Sequence, residues 1–204
     1  MTERLIVIGG GGAGTAAATI AKRLNPDMTV TLFTEFPDIA YSPCGIPFVH
    51  GREIDKFESL FLSTVERYVE DGLDMRMETT VTDIDLDRGT VTARNGHEGF
   101  DKLVVCTGFT WEKPDVPGAN LEGLHYVKDI RAAMLFDEKL DGMKRVAVVG
   151  ATPLGVEMAG ALGHRGLQVD FIDEGPWVLS EVLDPDVAEP VHESLANRGV
   201  TLRL

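Results

Sequence analysis

The sequence predicts an α/β fold made of two three-layer units. Short apolar runs, LIVI at Leu5–Ile8 and VAVV at Val146–Val149, read as strands buried in a parallel sheet. Each run is followed at once by a glycine-bearing turn and then by a helical stretch. The whole β–turn–α–β pattern occurs twice, starting at Arg4 and again at Arg145, which marks a duplicated unit and not a short-period repeat.

In chain order, Arg4–Ile8 is the first strand and Gly9–Gly14 the turn. Ala16–Leu24 is an Ala-rich helix whose last turn carries Lys22 and Arg23, as the helix dipole favours. Asn25-Pro26-Asp27 stops it, and Met28–Phe33 is a β-branched second strand. Tyr41–Gly51 is rich in turn formers, and Leu60–Asp71 reads as helix. Thr79–Asp87 and Gly89–Arg94 alternate like a hairpin turned at Asp87-Arg88-Gly89. Lys102–Cys106 is another buried strand, ended by Thr107-Gly108. The two prolines of Glu112–Gly118 mark a linker, so residues 1–113 form one domain and 114–204 a second. The second domain contains helix at Leu135–Leu140, strand at Arg145–Val149, a turn at Gly150–Gly155, helix at Val156–Arg165 stopped by Gly166, and strand at Gln168–Ile172.

The first turn contains G-x-G-x-x-G at Gly9, Gly11 and Gly14, with Gly12 and Ala13 inside it. In a dinucleotide-binding (Rossmann-like) unit the first glycine permits the tight turn. The second lets backbone approach a pyrophosphate, and the third lets helix and strand pack closely. An acid at the end of the second strand should bind the adenosine ribose, and Glu35 is the residue there. In the second turn, Gly150 and Gly155 keep the outer positions while Thr152 replaces the middle glycine. That adds a Cβ where a pyrophosphate should approach. Asp173 ends the paired strand, and an acid there favours NAD over NADP.

Composition narrows the classes. With 33 acidic and 19 basic residues the net charge is −14, which argues against general nucleic-acid binding. No stretch approaches the roughly 18 consecutive apolar residues of a membrane span, and the N-terminus lacks a signal-peptide layout. No metal-ligand pattern stands out. The two cysteines, Cys44 and Cys106, suit a reducing compartment. Ser42-Pro43-Cys44 reads as a helix start, with Ser42 as N-cap and the thiol at the positive end of the dipole, the setting of a reactive cysteine. Cys106, closing the LVVC strand, reads as buried packing.

The Gly9–Gly14 opening, the single-cysteine loop Ala40–Phe48 (AYSPCGIPF), the Thr107-Gly108 strand end and the second unit at 150–173 together resemble the flavin-dependent pyridine nucleotide-disulfide oxidoreductases. The chain looks like their single-cysteine branch, which holds coenzyme A-disulfide reductases, NADH oxidases and peroxidases, and NAD(P)H:sulfur reductases. The resemblance implies FAD in the first unit, with Thr107 and Gly108 near the flavin, and NAD(P)H, NADH favoured, in the second. It implies that Cys44 is the redox sulfur, cycling between thiolate and a mixed disulfide with coenzyme A or a sulfenic acid. The implied substrate is coenzyme A disulfide or a related disulfide or polysulfide, with Arg23 and Ser42 on the substrate side.

Departures refine this. Oxidases of the branch carry a histidine where Gly12 stands, which points towards disulfide reduction. Coenzyme A-disulfide reductases often have Asn where Pro43 stands, and Cys106 replaces a usual alanine. Family members are about twice as long, with a split FAD domain and a dimer-forming C-terminal domain. The expectation is therefore that this chain is the N-terminal half of a cytoplasmic homodimer, with both units incomplete, as a fragment, a truncated product or one piece of a split enzyme. The alternatives are an NADH oxidase and a non-catalytic nucleotide-binding subunit of a split complex.

Overall fold

A computed structural model describes residues 2–94, 96–127 and 129–204. The chain divides into two compact units: Met1–Ser42 with Phe61–Asn120, and Pro43–Leu60 with Leu121–Leu204. The sequence boundary at 113/114 differs from this division in two respects. The change of unit falls at Asn120, and the segment 43–60 groups with the second unit, because its helix packs on helices of that unit.

In the first unit, β1 (Arg4–Ile8) pairs in parallel with β2 (Thr29–Phe33) and with β7 (Lys102–Val105), while β2 pairs with β3 (Asp74–Arg76). The strand order is β3-β2-β1-β7. Period-2 alternation sends β1 side chains to both faces, so both must be covered. Leu5 and Val7 meet Ala18 of α1 (Gly12–Leu24), Leu32, and Tyr68 of α3 (Val65–Glu70). Ile6 and Ile8 meet Phe33 and Val91, the latter from an antiparallel sheet of β4 (Val81–Asp85), β5 (Thr90–Ala93) and β6 (Gly96–Gly99). Helix, parallel sheet and antiparallel sheet are the three layers.

In the second unit, β8 (Arg145–Val149), β9 (Gln168–Ile172) and β10 (Val200–Arg203) form a parallel sheet of order β10-β9-β8. α5 (Pro153–His164) packs on it, α6 (Pro185–Ala196) packs on α5 and β10, and the short α2 (Ile46–His50) packs on α4 (Ile130–Leu140) and α5. Asp170 on β9 accepts from Arg145 at 2.9 Å and Arg203 at 3.1 Å, linking its two neighbouring strands.

Several expectations need correction. The helix read at 60–71 is confined to Val65–Glu70, because Thr64 accepts from Arg67 N–H and fixes the start there. The hairpin gains a third strand, β6. α1 starts at Gly12, four residues before Ala16, since the last residues of the glycine turn are its first turn. α4 begins at Ile130, where Asp129 caps the Ala132 N–H. The strand read as buried at 102–106 is an edge: Val105 is 55% exposed and Cys106 is half-buried. β8 is likewise an edge, with Val149 76% exposed.

Candidate functional site

The two glycine turns are built alike. Gly9 N–H donates to Phe33 O at 2.8 Å and Gly150 N–H to Ile172 O at 2.9 Å, so each turn is tied to the end of the neighbouring strand. Both glycines have positive φ, +116° and +103°. A Cβ on Gly14 would overlap Gly9 O, and one on Gly155 would overlap Gly150 O, so the helix sits directly on the turn. Gly9 is constrained further, because its Cβ would overlap the carbonyl of Cys106.

The open sides differ. Gly11 and Gly12 are exposed, nothing lies within 4 Å of a Cβ at either, and no side chain caps the N-terminus of α1. Free amides facing open space suit a pyrophosphate. Ala13 is exposed beside them. In the second turn, Thr152 has φ −76° and ψ 168°, close to the −72° and −177° of Gly11. Its Cβ therefore causes no backbone strain. Its hydroxyl instead accepts from Gly155 N–H at 3.3 Å, so this helix start already has an oxygen of its own.

The other expected site residues are placed as follows. Glu35 is exposed just beyond β2, behind a buried Thr34 whose Cβ lies against Gly10. Thr107 and Gly108 are exposed beyond β7, with Gly108 at φ +72°. Asp173 is half-buried, and its carboxylate accepts from Ala151 N–H at 2.7 Å and Gly175 N–H at 2.8 Å. It thus anchors the second glycine turn, with lone pairs left for a hydroxyl. Arg23 is exposed at the C-terminal end of α1, the opposite end from Gly11 and Gly12.

Ser42 is half-buried, and Cys44 is exposed. The helix expected to start at Ser42 is corrected. Pro43–Gly45 make a single 3-10 turn, and α2 begins only at Ile46 with no side-chain cap. Gly45 keeps right-handed helical angles, but Pro47, inside the first turn of α2, has no N–H to bond the Pro43 carbonyl, so the thiol lies in the 3-10 turn ahead of a five-residue helix and not in its first turn.

One cluster was not legible in the sequence. His50, at the end of α2, is fully buried, with its ring edge-on to Phe57 and Phe136. Its Nδ1 lies 3.1 Å from Asp137 Oδ1 on α4. Arg165, just after α5, donates to Asp137 at 2.6 Å, to Asp141 at 2.7 Å and to His50 O at 3.3 Å. Arg52 donates to Asp137 Oδ2 at 2.8 Å. Burial opposes ionisation of Asp137, but the donors His50, Arg52 and Arg165 outweigh it and hold its pKa below the usual range. Burial lowers the His50 pKa, against the pull of Asp137, so the imidazole is neutral at pH 7. Below about pH 6.5 the unfolded chain takes up a proton that the folded one refuses. Stability is therefore expected to be complete above that pH and to fall below it. Melting temperatures at pH 7.5 and 5.5 would check this, and His50→Gln should reduce the difference. Half-buried His125, also lowered by burial, contributes with the same sign.

Among the described residues, no helix is long and apolar enough to cross a membrane, and no group of three or more His, Cys, Asp or Glu is placed to hold a metal.

The sequence pattern of the pyridine nucleotide-disulphide oxidoreductases matches residues 3–204. The chain belongs to that family. An NADH oxidase of Methanocaldococcus jannaschii is 38% identical over 210 residues, which cover 98% of this chain and 47% of that protein. An NAD(P)H coenzyme A polysulfide/persulfide reductase of Pyrococcus horikoshii is 30% identical over 209 residues, covering 100% and 46%. Among solved structures, a water-forming NADH oxidase from Lactobacillus brevis bound to NADH superposes with a TM-score of 0.94 at 29% identity, covering 100% of this chain and 46% of that one. The chain spans about half the length of the curated relatives it matches. The family's cofactors are FAD and NAD(P)H, and two matched glycine turns are the elements such a pair requires.

Proposed function

We propose that this chain carries the FAD- and NAD(P)H-binding units of an NAD(P)H:disulfide oxidoreductase whose redox sulfur is Cys44. The observation that carries it is an exposed thiol in a proline- and glycine-flanked turn, in a family member with two dinucleotide-type turns. Gly9, Gly11, Gly12, Ala13 and Gly14 would cradle the FAD pyrophosphate, with Glu35 on its ribose and Thr107 and Gly108 towards the flavin. Gly150, Gly155 and Asp173 would hold NAD(P)H, and the acid at Asp173 favours NADH by repelling a 2′-phosphate. Bound FAD supplies two-electron transfer between nicotinamide and sulfur.

The Cys44 thiolate attacks one sulfur of a small disulfide, forms a mixed disulfide and releases the other half as thiolate. Two electrons from NAD(P)H then cleave the mixed disulfide, restoring the Cys44 thiolate and releasing the second half as thiolate, and the two released thiolates take up the proton of the hydride and one from solvent. The sum is RSSR + NAD(P)H + H⁺ → 2 RSH + NAD(P)⁺. Coenzyme A disulfide and coenzyme A polysulfide are the substrates best supported, given the names of relatives such as the Pyrococcus horikoshii enzyme. Ser42 beside the thiol and Arg23 as a phosphate contact are the candidate substrate residues. A cytoplasmic homodimer fits the same reading.

Cys44→Ser is expected to abolish disulfide reduction while leaving bleaching of the flavin by NADH intact, in the intact enzyme that carries this chain. Full disulfide turnover in this variant would sink the proposal. The relatives named NADH oxidases favour a second reading, oxygen reduction. Rapid NADH-dependent oxygen uptake without any disulfide, against slow disulfide turnover, would select it.

A further inference from the structure

We propose that Asp137, held by Arg165 and engaging His50, is a positioning residue for Cys44; this rests on Cys44 being the redox sulfur. A five-residue helix has no stability of its own in water. The direction of α2, and of the turn before it, is therefore set by what α2 is tied to. At the thiol end, a Cβ on Gly45 would overlap Leu60, which is itself buried. Along the helix, Ile46 and Val49 are buried. At the far end Gly51 lies against Ala161 of α5, where a Cβ would come within 3.2 Å of the Ala161 side chain and carbonyl.

The charged cluster fixes that far end. The side chains of His50, Asp137 and Arg165 are 0%, 14% and 11% exposed. Arg165 bonds both the Asp137 carboxylate and the His50 carbonyl, so one guanidinium ties the last residue of α2 to α4 and to the end of α5. Apolar burial alone allows a short helix to slide or rotate. A largely covered, hydrogen-bonded ion pair resists this, because moving α2 separates His50 from both Asp137 and Arg165 and leaves its buried ring nitrogen and carbonyl without those partners. Five residues separate the pinned His50 from Cys44, and three of them, Ile46, Pro47 and Val49, are buried.

The test uses Asp137→Asn, which keeps the size and one acceptor but removes the charge, in a Cys106→Ser background. Arg165→Lys, which keeps a charge but not the two-pronged contact, is the second variant should the first fail to fold. Two readings are taken on folded enzyme. In the first, the rate of Cys44 alkylation by iodoacetamide should change by about threefold or more. In the second, kcat for disulfide reduction should fall about tenfold or more, since an ångström-scale misplacement of a reacting group costs on the order of a hundredfold. Flavin reduction by NADH should be unchanged. Unaltered alkylation and kcat in a variant that is merely less stable would overturn the proposal. The alkylation rate reports on placement whether or not Cys44 turns over, so an active Cys44→Ser enzyme would sink the redox reading separately.

Discussion

A Gly14→Ala enzyme is expected to purify without flavin and to melt well below the parent. The added methyl would overlap the Gly9 carbonyl oxygen, which is backbone and fixed by the Gly9 N–H bond to Phe33 O. α1 must then lift from β1, beside Val7 and the buried core under Ala18. Overpacking of this kind costs about 1–3 kcal/mol, and the shift displaces the amides proposed to face the pyrophosphate. Gly12→Ala is the control. Its methyl meets nothing within 4 Å, so the fold should be unaffected and only flavin retention can change. Thermal melts and the flavin absorbance of the two purified variants, measured together, separate a packing effect from a binding one. Equal melting temperatures for both would contradict the packing account.

Asp137→Ala is expected to cost about 3 kcal/mol, the lower end of the range for breaking a buried ion pair, because Arg165 keeps Asp141. The loss leaves the fully buried His50 Nδ1 without its partner and takes from the largely covered Arg165 the nearer of its two carboxylates. Arg52 adds less, because it is largely open to water. Urea denaturation of the variant beside the parent gives the number. Asp141→Ala should cost far less, since that carboxylate is 75% exposed. The ratio between the two variants tests whether burial, and not the count of ion pairs, sets the energy.

Much of this was legible in the sequence, for identifiable reasons. β1 and β8 fall on their expected residues because an apolar run ended by glycine leaves little choice of register, and β9 does so because Gly166 stops the preceding helix and Val169 and Phe171 alternate with polar residues. The glycine turns were legible because each outer glycine meets a need that other residues cannot meet. β3 (DMR) and β6 (GHEG) were not, being short and polar and made strands only by their neighbours. α6 carries a start signal, Asp184-Pro185, although its interior Pro190 masks the helical pattern that follows. Ser42-Pro43 signals a helix start at Cys44, but Pro47 four residues on cannot donate to the Pro43 carbonyl, and the helix begins at Ile46. The His50–Asp137–Arg165 cluster joins residues 87 and 28 positions apart. No local pattern announces such a pairing, and only the packing of α2 on α4 and α5 creates it.

The outward edges of β7 and β8 bear on how the chain behaves among its own copies. Neither has a neighbouring strand on its outer side among the described residues, and each ends in an exposed valine, Val105 or Val149. Such an edge is a template on which another strand can dock. The charge of −14 opposes this by keeping molecules apart. That repulsion reaches only about 8 Å at physiological ionic strength and about 3 Å in molar salt. Colloidal behaviour of the isolated chain thus rests on two opposed features, adhesive strand edges and an acidic surface, and added salt weakens only the second.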